Sequence, residues 1–265
     1  MWTSYSQNGE DVRLRRAFSG QAQGFYVDVG ANHPVQLSVT KHFSERGWTG
    51  INVEPLPGQF ALIERDRPRD INLNVACSAE RGELELYAAR GGYSGMSTLT
   101  AEEAELHKKK GVEFDALRVK TLPLAEILAE HAANKTIDFM SIDVEGHERQ
   151  VLQGADLARF RPRVLLLEAT RPNSTEPTHG AWEDLILRAD YLFAVFDGLN
   201  RFYVRREDEA LIEKLALAPN VFDDYIPFHY KREMDRLRAE LLQYRALEPI
   251  ARAVKGLGKL FGQGK

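Results

Sequence analysis

The chain has 265 residues, a formal net charge of −4 and a single cysteine, Cys77. Its 43% apolar and 28% charged residues are ordinary globular usage, which excludes collagen-like and disordered classes. One cysteine excludes an internal disulfide framework and a cysteine-built zinc site, and the acidic balance gives no electrostatic footprint for nucleic acid.

The chain alternates short apolar runs with amphipathic stretches. Residues 24–30, GFYVDVG, read as a strand ending at glycine. Residues 35–46 carry a helical period through Val35, Val39, His42, Phe43 and Arg46, stopped by Gly47. A second strand is expected at 50–55, a helix at 57–68 closed by Pro68, and a third strand at 71–78. Residues 82–89 alternate cleanly and predict a strand paired with 71–78 as a hairpin. A Gly/Ser/Thr loop follows at 90–100, then a helix at 101–110 and an alternating strand at 114–122. Residues 123–131 begin a helix with proline. The rhythm resumes with strand 137–143, helix 145–154, a strand at 163–169 too apolar to face water, and helix 180–190. Strands 191–198 and 201–205 flank a tight turn. Repeated βα units ending in a hairpin predict an α/β fold, a doubly wound, mostly parallel sheet with one antiparallel strand. The longest unbroken apolar run, 191–196, has six residues, whereas a membrane-crossing helix needs about twenty. The N-terminus carries no apolar leader, so a cytoplasmic location is expected.

Two places carry chemistry. The first is VDVGAN, which puts Asp28 at a strand end and Gly30 in the turn after it, where ligands of open α/β sheets bind. Glu54 ends the next strand, and a carboxylate there can accept both hydroxyl hydrogens of a ribose. The turn G-A-N-H-P lacks the further glycines that a pyrophosphate requires, which disfavours a dinucleotide. S-adenosylmethionine has no phosphate and needs no glycine triplet. The plainer alternative is that Asp28 caps a helix and Glu54 is solvated.

The second place is IDFMSIDVEGHE, with Asp143 at a strand end and Glu145, His147 and Glu148 on the turn beyond it. If strand 137–143 lies beside 24–30, Asp143 meets the cofactor's reactive atom and can hold a donor group, act as a base, or bind a metal. A metal would take Asp143, Glu145 and His147, provided that Gly146 makes a turn. The alternative is a capping role for Asp143 and dipole stabilisation by the two glutamates. His33, just after the first turn, is a second candidate base.

With these residues in place, the chain resembles the FkbM family of S-adenosylmethionine-dependent methyltransferases. The matching segments run in order: YSQNGED (5–11), VDVGANHP (27–34), RGWTGINVEP (46–55), GMSTL (95–99), IDFMSIDVEGHE (137–148) and RPRVLLLEAT (161–170). The resemblance implies a class I methyltransferase-like sheet. It implies that Asp28, Gly30, Ala31 and Asn32 line the cofactor, with Glu54 and Pro55 at the ribose and Ala76 near the adenine. It further implies that Gln7, Glu10 and Ser38 help close the pocket. It fixes no catalytic base. The family mostly methylates oxygen on natural products and glycans.

The expected organisation is a methyltransferase domain over 1–217, including an N-terminal helix and a β-insertion at 79–122, and an extension over 218–265. Residues 231–265 carry nine Lys/Arg against four Asp/Glu, so the tail is basic while the rest is acidic. Met234, Leu237, Leu241 and Tyr244 follow the spacing of a coiled-coil or docking seam, which Pro249 is expected to interrupt. Beyond it, Ile250, Ala253, Val254, Leu257, Leu260 and Phe261 share a face, with Arg252, Lys255 and Lys259 off it. Such a segment suits either peripheral membrane contact or a homo-oligomer through 231–261, and Gly256, Gly258 and Gly262 weaken its helix.

The functional expectation is O-methyl transfer to a hydroxyl of a sugar, glycan or glycolipid. Asp143 or His33 would take the proton, with Glu145 nearby, and the loop 90–100 would contact the acceptor. A small natural product or a carboxylate is the alternative acceptor. An NAD-dependent oxidoreductase and a non-catalytic partner protein are the other classes, disfavoured by the single-glycine turn and the intact acids.

Overall fold

The structure, a computed structural model, describes residues 1–171 and 174–261, with side chains to residue 245. In chain order the elements are β1 (Trp2–Ser4), α1 (Glu10–Ala17), β2 (Phe25–Val29), α2 (Lys41–Glu45), β3 (Thr49–Val53), α3 (Pro57–Asp66), β4 (Ile71–Leu73), β5 (Ala76–Ser78), β6 (Gly82–Ala89), α4 (Ala101–Lys109), β7 (Phe114–Pro123) and α5 (Leu124–His131). They continue with β8 (Phe139–Ile142), α6 (Glu148–Gln153), β9 (Val164–Glu168), α7 (Glu183–Arg188), β10 (Tyr191–Phe196), β11 (Asn200–Arg205), α8 (Leu211–Ala216), β12 (Tyr225–Pro227) and α9 (Phe228–Phe261).

The chain divides into two compact units, Tyr5–Asp223 and a smaller one joining Met1–Ser4 to Asp224–Lys265. The expected division at 217/218 differs from this partition, because 218–223 goes with the larger unit and 1–4 with the smaller. In the larger unit the described strands form a seven-stranded sheet of order β10-β11-β9-β8-β2-β3-β4. Its pairs β2–β3, β2–β8, β3–β4 and β8–β9 are parallel, while β11 runs antiparallel to both β9 and β10. The chain winds outward from β2 through β3 and β4, then returns to β8 on the other side. The crevice between β2 and β8 is therefore the point where strand order reverses.

Alternation along β2 builds two cores. Phe25, Val27 and Val29 join a buried cluster with Ile51, Val53, Leu128, Val151, Leu165 and Trp182. Tyr26, facing the other way, joins Leu14, Phe43, Trp48, Phe139, Leu166 and Phe202. Apolar residues on both faces of β9 (Val164, Leu165, Leu166 and Leu167, all buried) explain its unbroken apolar run.

Three expectations are corrected. The helix read over 35–46 is helical only at Lys41–Glu45. Leu37 adopts a left-handed φ of 58°, and Ser38 and Thr40 spend their hydroxyls on tertiary partners, so 35–40 is a loop. The strand read over 71–78 is split at Asn74, whose side-chain amide donates to the carbonyls of Glu54 (2.9 Å) and Pro55 (3.0 Å). Its first half extends the large sheet, and its second half starts a three-stranded sheet of order β5-β7-β6. The hairpin partner of 82–89 is accordingly β7, in an antiparallel ladder from Gly82↔Thr121 to Ala89↔Phe114, not 71–78.

In the smaller unit β1 pairs in parallel with β12, and α9 follows directly. The interruption expected at Pro249 is absent from the backbone, since α9 runs through that position. A proline removes one donor and crowds the preceding turn, which bends a helix without necessarily ending it. The side chains of the apolar face expected over 250–261 lie outside the described residues. Among the described residues, no helix is long and apolar enough to cross a membrane.

Candidate active site

Parallel strands β2, β3, β8 and β9 deliver one carboxylate each to the same edge of the sheet: Asp28, Glu54, Asp143 and Glu168. The strand ends lie close together because of one glycine. Gly30 has φ 83°, and a Cβ at that position would lie 1.8 Å from the carbonyl oxygen of Asp143. Only glycine permits both the conformation and the approach. The Asp143 amide donates to Val29 O at 3.0 Å, and the Gly30 amide to Val53 O at 3.0 Å, which locks the three strand ends together.

A cavity of about 470 Å³ opens over this edge. Gln7, Asp28, Gly30, Ala31, Asn32, His33, Ser38, Glu54, Pro55, Ala76, Asp143 and Glu145 all line it, and so does Glu168. Glu10 and His147 do not. Glu10 is buried, accepting from the Asn8 amide (2.7 Å) and from Asn200 Nδ2 on β11 (2.7 Å). His147 Nε2 meets Ser78 Oγ at 3.0 Å.

Glu54 is 3% exposed and accepts from the Asn32 amide through Oε2 (2.7 Å) and from the Leu56 amide through Oε1 (2.8 Å). Burial pushes its carboxyl up to about 7, against the pull of those two amides. Each oxygen keeps a further lone pair for a ligand hydroxyl. Asp28 accepts from Thr40 Oγ1 at 2.8 Å, and burial pushes it up to about 6. Behind Thr40 lies buried Arg67, whose guanidinium donates to Pro34 O (2.7 Å), Tyr26 Oη (3.0 Å), Ser38 Oγ (3.2 Å) and Thr40 Oγ1 (3.4 Å). Arg67 thus fixes the loop that follows Gly30. It stands at the close of the helix read over 57–68, and nothing in its sequence setting marks it.

His33 Nδ1 accepts from the amides of Val35 (3.0 Å) and Gln36 (2.9 Å), and burial lowers its pKa. That nitrogen is committed to the turn, so the neutral ring carries its proton on Nε2 and has no free lone pair for a substrate proton. His33 is a turn-former, which corrects the expectation that it serves as a base.

Asp143 faces the open cavity, yet protein rings its carboxyl closely enough to raise it to about 6. Glu168, at the end of the adjacent strand, is hydrogen-bonded to it. Burial, then the charges of Asp143, Glu145 and Glu148, raise Glu168 well above the ordinary carboxylate range. Of the two, Glu168 is therefore the one that keeps its proton to higher pH. Glu145, at φ 52° before Gly146 at φ 94°, is raised by burial and by Asp143, Glu148 and Glu103. Oxygens of Asp143, Glu145 and Glu168 lie within 4.8 Å of one another and form the set, among the described residues, that a hard cation could take. This corrects the expected ligand set: Glu168 replaces His147. Nor does Asp143 cap α6; Glu148 serves that turn, accepting from the amides of Val144 (3.3 Å) and Gly146 (3.1 Å). Glu168 escaped the sequence reading although it ends the strand 163–169, and the rule that selected Asp143 applies to it equally.

A cavity across the carboxyl ends of an open α/β sheet, with one glycine in the first turn and an acid after the second strand, defines an enzyme that binds a nucleoside-bearing cofactor. Within that class the chain belongs to the FkbM methyltransferases: the model of the Methyltransferase FkbM domain matches residues 28–193, more than half of the chain. No curated protein matches the chain. Among solved structures, the chain is similar to a TehB-like S-adenosylmethionine-dependent methyltransferase from Corynebacterium glutamicum. The identity is 9% and the TM-score 0.41, with 74% of this chain and 88% of that one covered.

Membership implies S-adenosylmethionine as methyl donor, and the residues present fit it. Glu54 has acceptor capacity left for ribose hydroxyls, Val53, Leu56, Ala76 and Leu86 give apolar walls on the β3 side, and Asp143, Glu145 and Glu168 lie on the β8 side. Glu54→Ala is expected to weaken S-adenosylhomocysteine by about 2 kcal/mol, roughly thirtyfold. Isothermal titration reads this directly, and unchanged affinity would remove Glu54 from the ribose site.

Proposed function

We propose that the protein transfers a methyl group to a hydroxyl of a sugar, glycan or glycolipid, on a class I, doubly wound sheet closed by the β10–β11 hairpin. The observation that carries this reading is the carboxylate of Asp143, which lines the cavity at the end of β8 with oxygens of Glu145 and Glu168 within 4.8 Å. S-adenosylmethionine, when bound, supplies an electrophilic methyl group. A neutral hydroxyl is a poor nucleophile, and Asp143 Oδ takes its proton in this reading. Glu168 orients that oxygen by donating to its carboxyl. Most of the acceleration then comes from holding the acceptor oxygen in line.

The acceptor side of the cavity is the loop with Tyr93, Ser94 and Ser97. Ser94 Oγ donates to Asn32 Oδ1 at 3.0 Å, tying this loop to the cofactor turn. A half-open aromatic ring and hydroxyls suit a sugar face. The negative charge of Asp143 repels an anionic acceptor, which disfavours a carboxylate substrate. The test is mass spectrometry of products from a panel of neutral sugars, carboxylic acids and small phenols. A one-methylene gain confined to carboxylic acids would overturn the reading. Turnover in EDTA separates the two roles open to Asp143, Glu145 and Glu168: unchanged turnover leaves them to proton transfer, and its loss, with recovery on adding Mg²⁺, would assign them to a cation.

A further inference from the structure

The long helix α9 carries an apolar stripe that no described residue covers. Tyr230, Met234, Leu237, Leu241 and Tyr244 follow a 4-3-4-3 spacing and are exposed, Leu237 at 51% and Leu241 at 50%. Exposed leucines two turns running on a helix are costly to leave in water. In heptad terms Met234 and Leu241 take the a positions, and Tyr230, Leu237 and Tyr244 the d positions.

The flanking charges decide what covers the stripe. The e positions are Lys231, Arg238 and Arg245, all basic, and the g positions are Glu233 and Glu240, both acidic. In a parallel pair, g faces the e position of the following heptad on the other helix, which sets Glu233 against Arg238 and Glu240 against Arg245 of a second copy. An antiparallel pair would set glutamate against glutamate and arginine against arginine. Within one helix the charges are already paired, Arg236 with Glu233 and Glu240, and Lys231 and Arg238 with Asp235. These exposed pairs support the single helix by a few tenths of a kcal/mol each and can exchange freely.

We infer that two copies of this chain associate in parallel through α9, in register along Tyr230–Tyr244. The seam spans about two heptads, so the dimer is concentration-dependent.

The test uses the full chain in analytical ultracentrifugation up to about 100 μM, a range that reports weak association. Wild type is expected to approach twice its 30.0 kDa mass. The double variant Glu233→Arg/Glu240→Arg and its complement Arg238→Glu/Arg245→Glu are each expected to stay monomeric, and their mixture to regain the dimer. Recovery on mixing also shows that both variants fold. A Leu237→Cys variant is expected to form an intermolecular disulfide on oxidation, since d faces d in a parallel pair; Cys77, at 2% exposure, does not compete. A monomeric wild type, a dimer that survives either charge reversal, or no cross-link at position 237 would each overturn the inference. A monomeric wild type that co-sediments with phosphatidylserine-containing vesicles would also overturn it and assign the stripe to a membrane surface.

Discussion

Asp143→Asn is expected to leave the fold intact and to lower kcat by a hundredfold or more, the usual worth of a positioned general base. Asparagine keeps an oxygen to accept from Glu168, so the strand-end geometry survives while the proton acceptor is lost. The pH dependence sharpens the test. Because its carboxyl is raised to about 6, Asp143 is protonated and inactive below that pH and ionised above it. Wild-type kcat should therefore climb as pH rises through about 6, and the residual activity of the variant should not show that step. A loss confined to donor affinity, with kcat preserved, would assign Asp143 to cofactor binding instead.

Arg67→Met should be the most damaging change away from the cavity acids. The guanidinium is nearly inaccessible, lies 3.9 Å from the equally buried Asp70, and serves four acceptors around the loop after Gly30. Removing one member of a buried charge pair costs about 3–5 kcal/mol. In a unit of this size that corresponds to a melting temperature lower by roughly 10 °C. S-adenosylhomocysteine affinity should fall as well, because Ser38 and Thr40 lose the partner that holds them beside Asp28. Arg67→Lys should recover only part of both, since one ammonium cannot reproduce the guanidinium fork. Differential scanning calorimetry and titration of the two variants provide the check; a melting shift within about 1 °C would show that the network is dispensable.

These two residues also mark what could be read in the sequence. Asp143 was legible because a βα rhythm places an acid at the end of an apolar strand, and the parallel β2–β8 pairing brings it beside Gly30. Strands β2, β3, β8 and β9 were legible for the same reason: burial on both faces writes itself as an apolar run. Arg67 was not, because its role comes from partners 27 to 41 positions away in the chain. The loop 35–40 imitated a helix because Val35 and Val39 happen to fall at helical spacing. Only the tertiary claims on Ser38 and Thr40 and the left-handed Leu37 override that pattern. Asn74 broke a strand through two side-chain bonds to carbonyls of another segment, which β propensity along 71–78 does not register.

The small sheet departs from the large sheet and returns to it at one place. Its first strand, β5, pairs in parallel with the end of β7, Ala76 opposite Thr121 and Ser78 opposite Pro123, so the two ends of 79–122 are neighbours. Between these ends runs the loop that presents Tyr93, Ser94 and Ser97 to the cavity, held to the frame by Ser94 on Asn32 and by Thr98 Oγ1 on the Glu145 carbonyl (2.7 Å). A segment with adjacent ends can be exchanged without stretching the chain that carries it. Swapping 79–122 between relatives that share the anchor, with Leu86 and Ser94 kept for the donor wall and the Asn32 contact, should therefore change which acceptor is methylated while donor affinity stays as it is. On the proposed reading, the chemistry then belongs to the frame and the choice of substrate to an exchangeable segment.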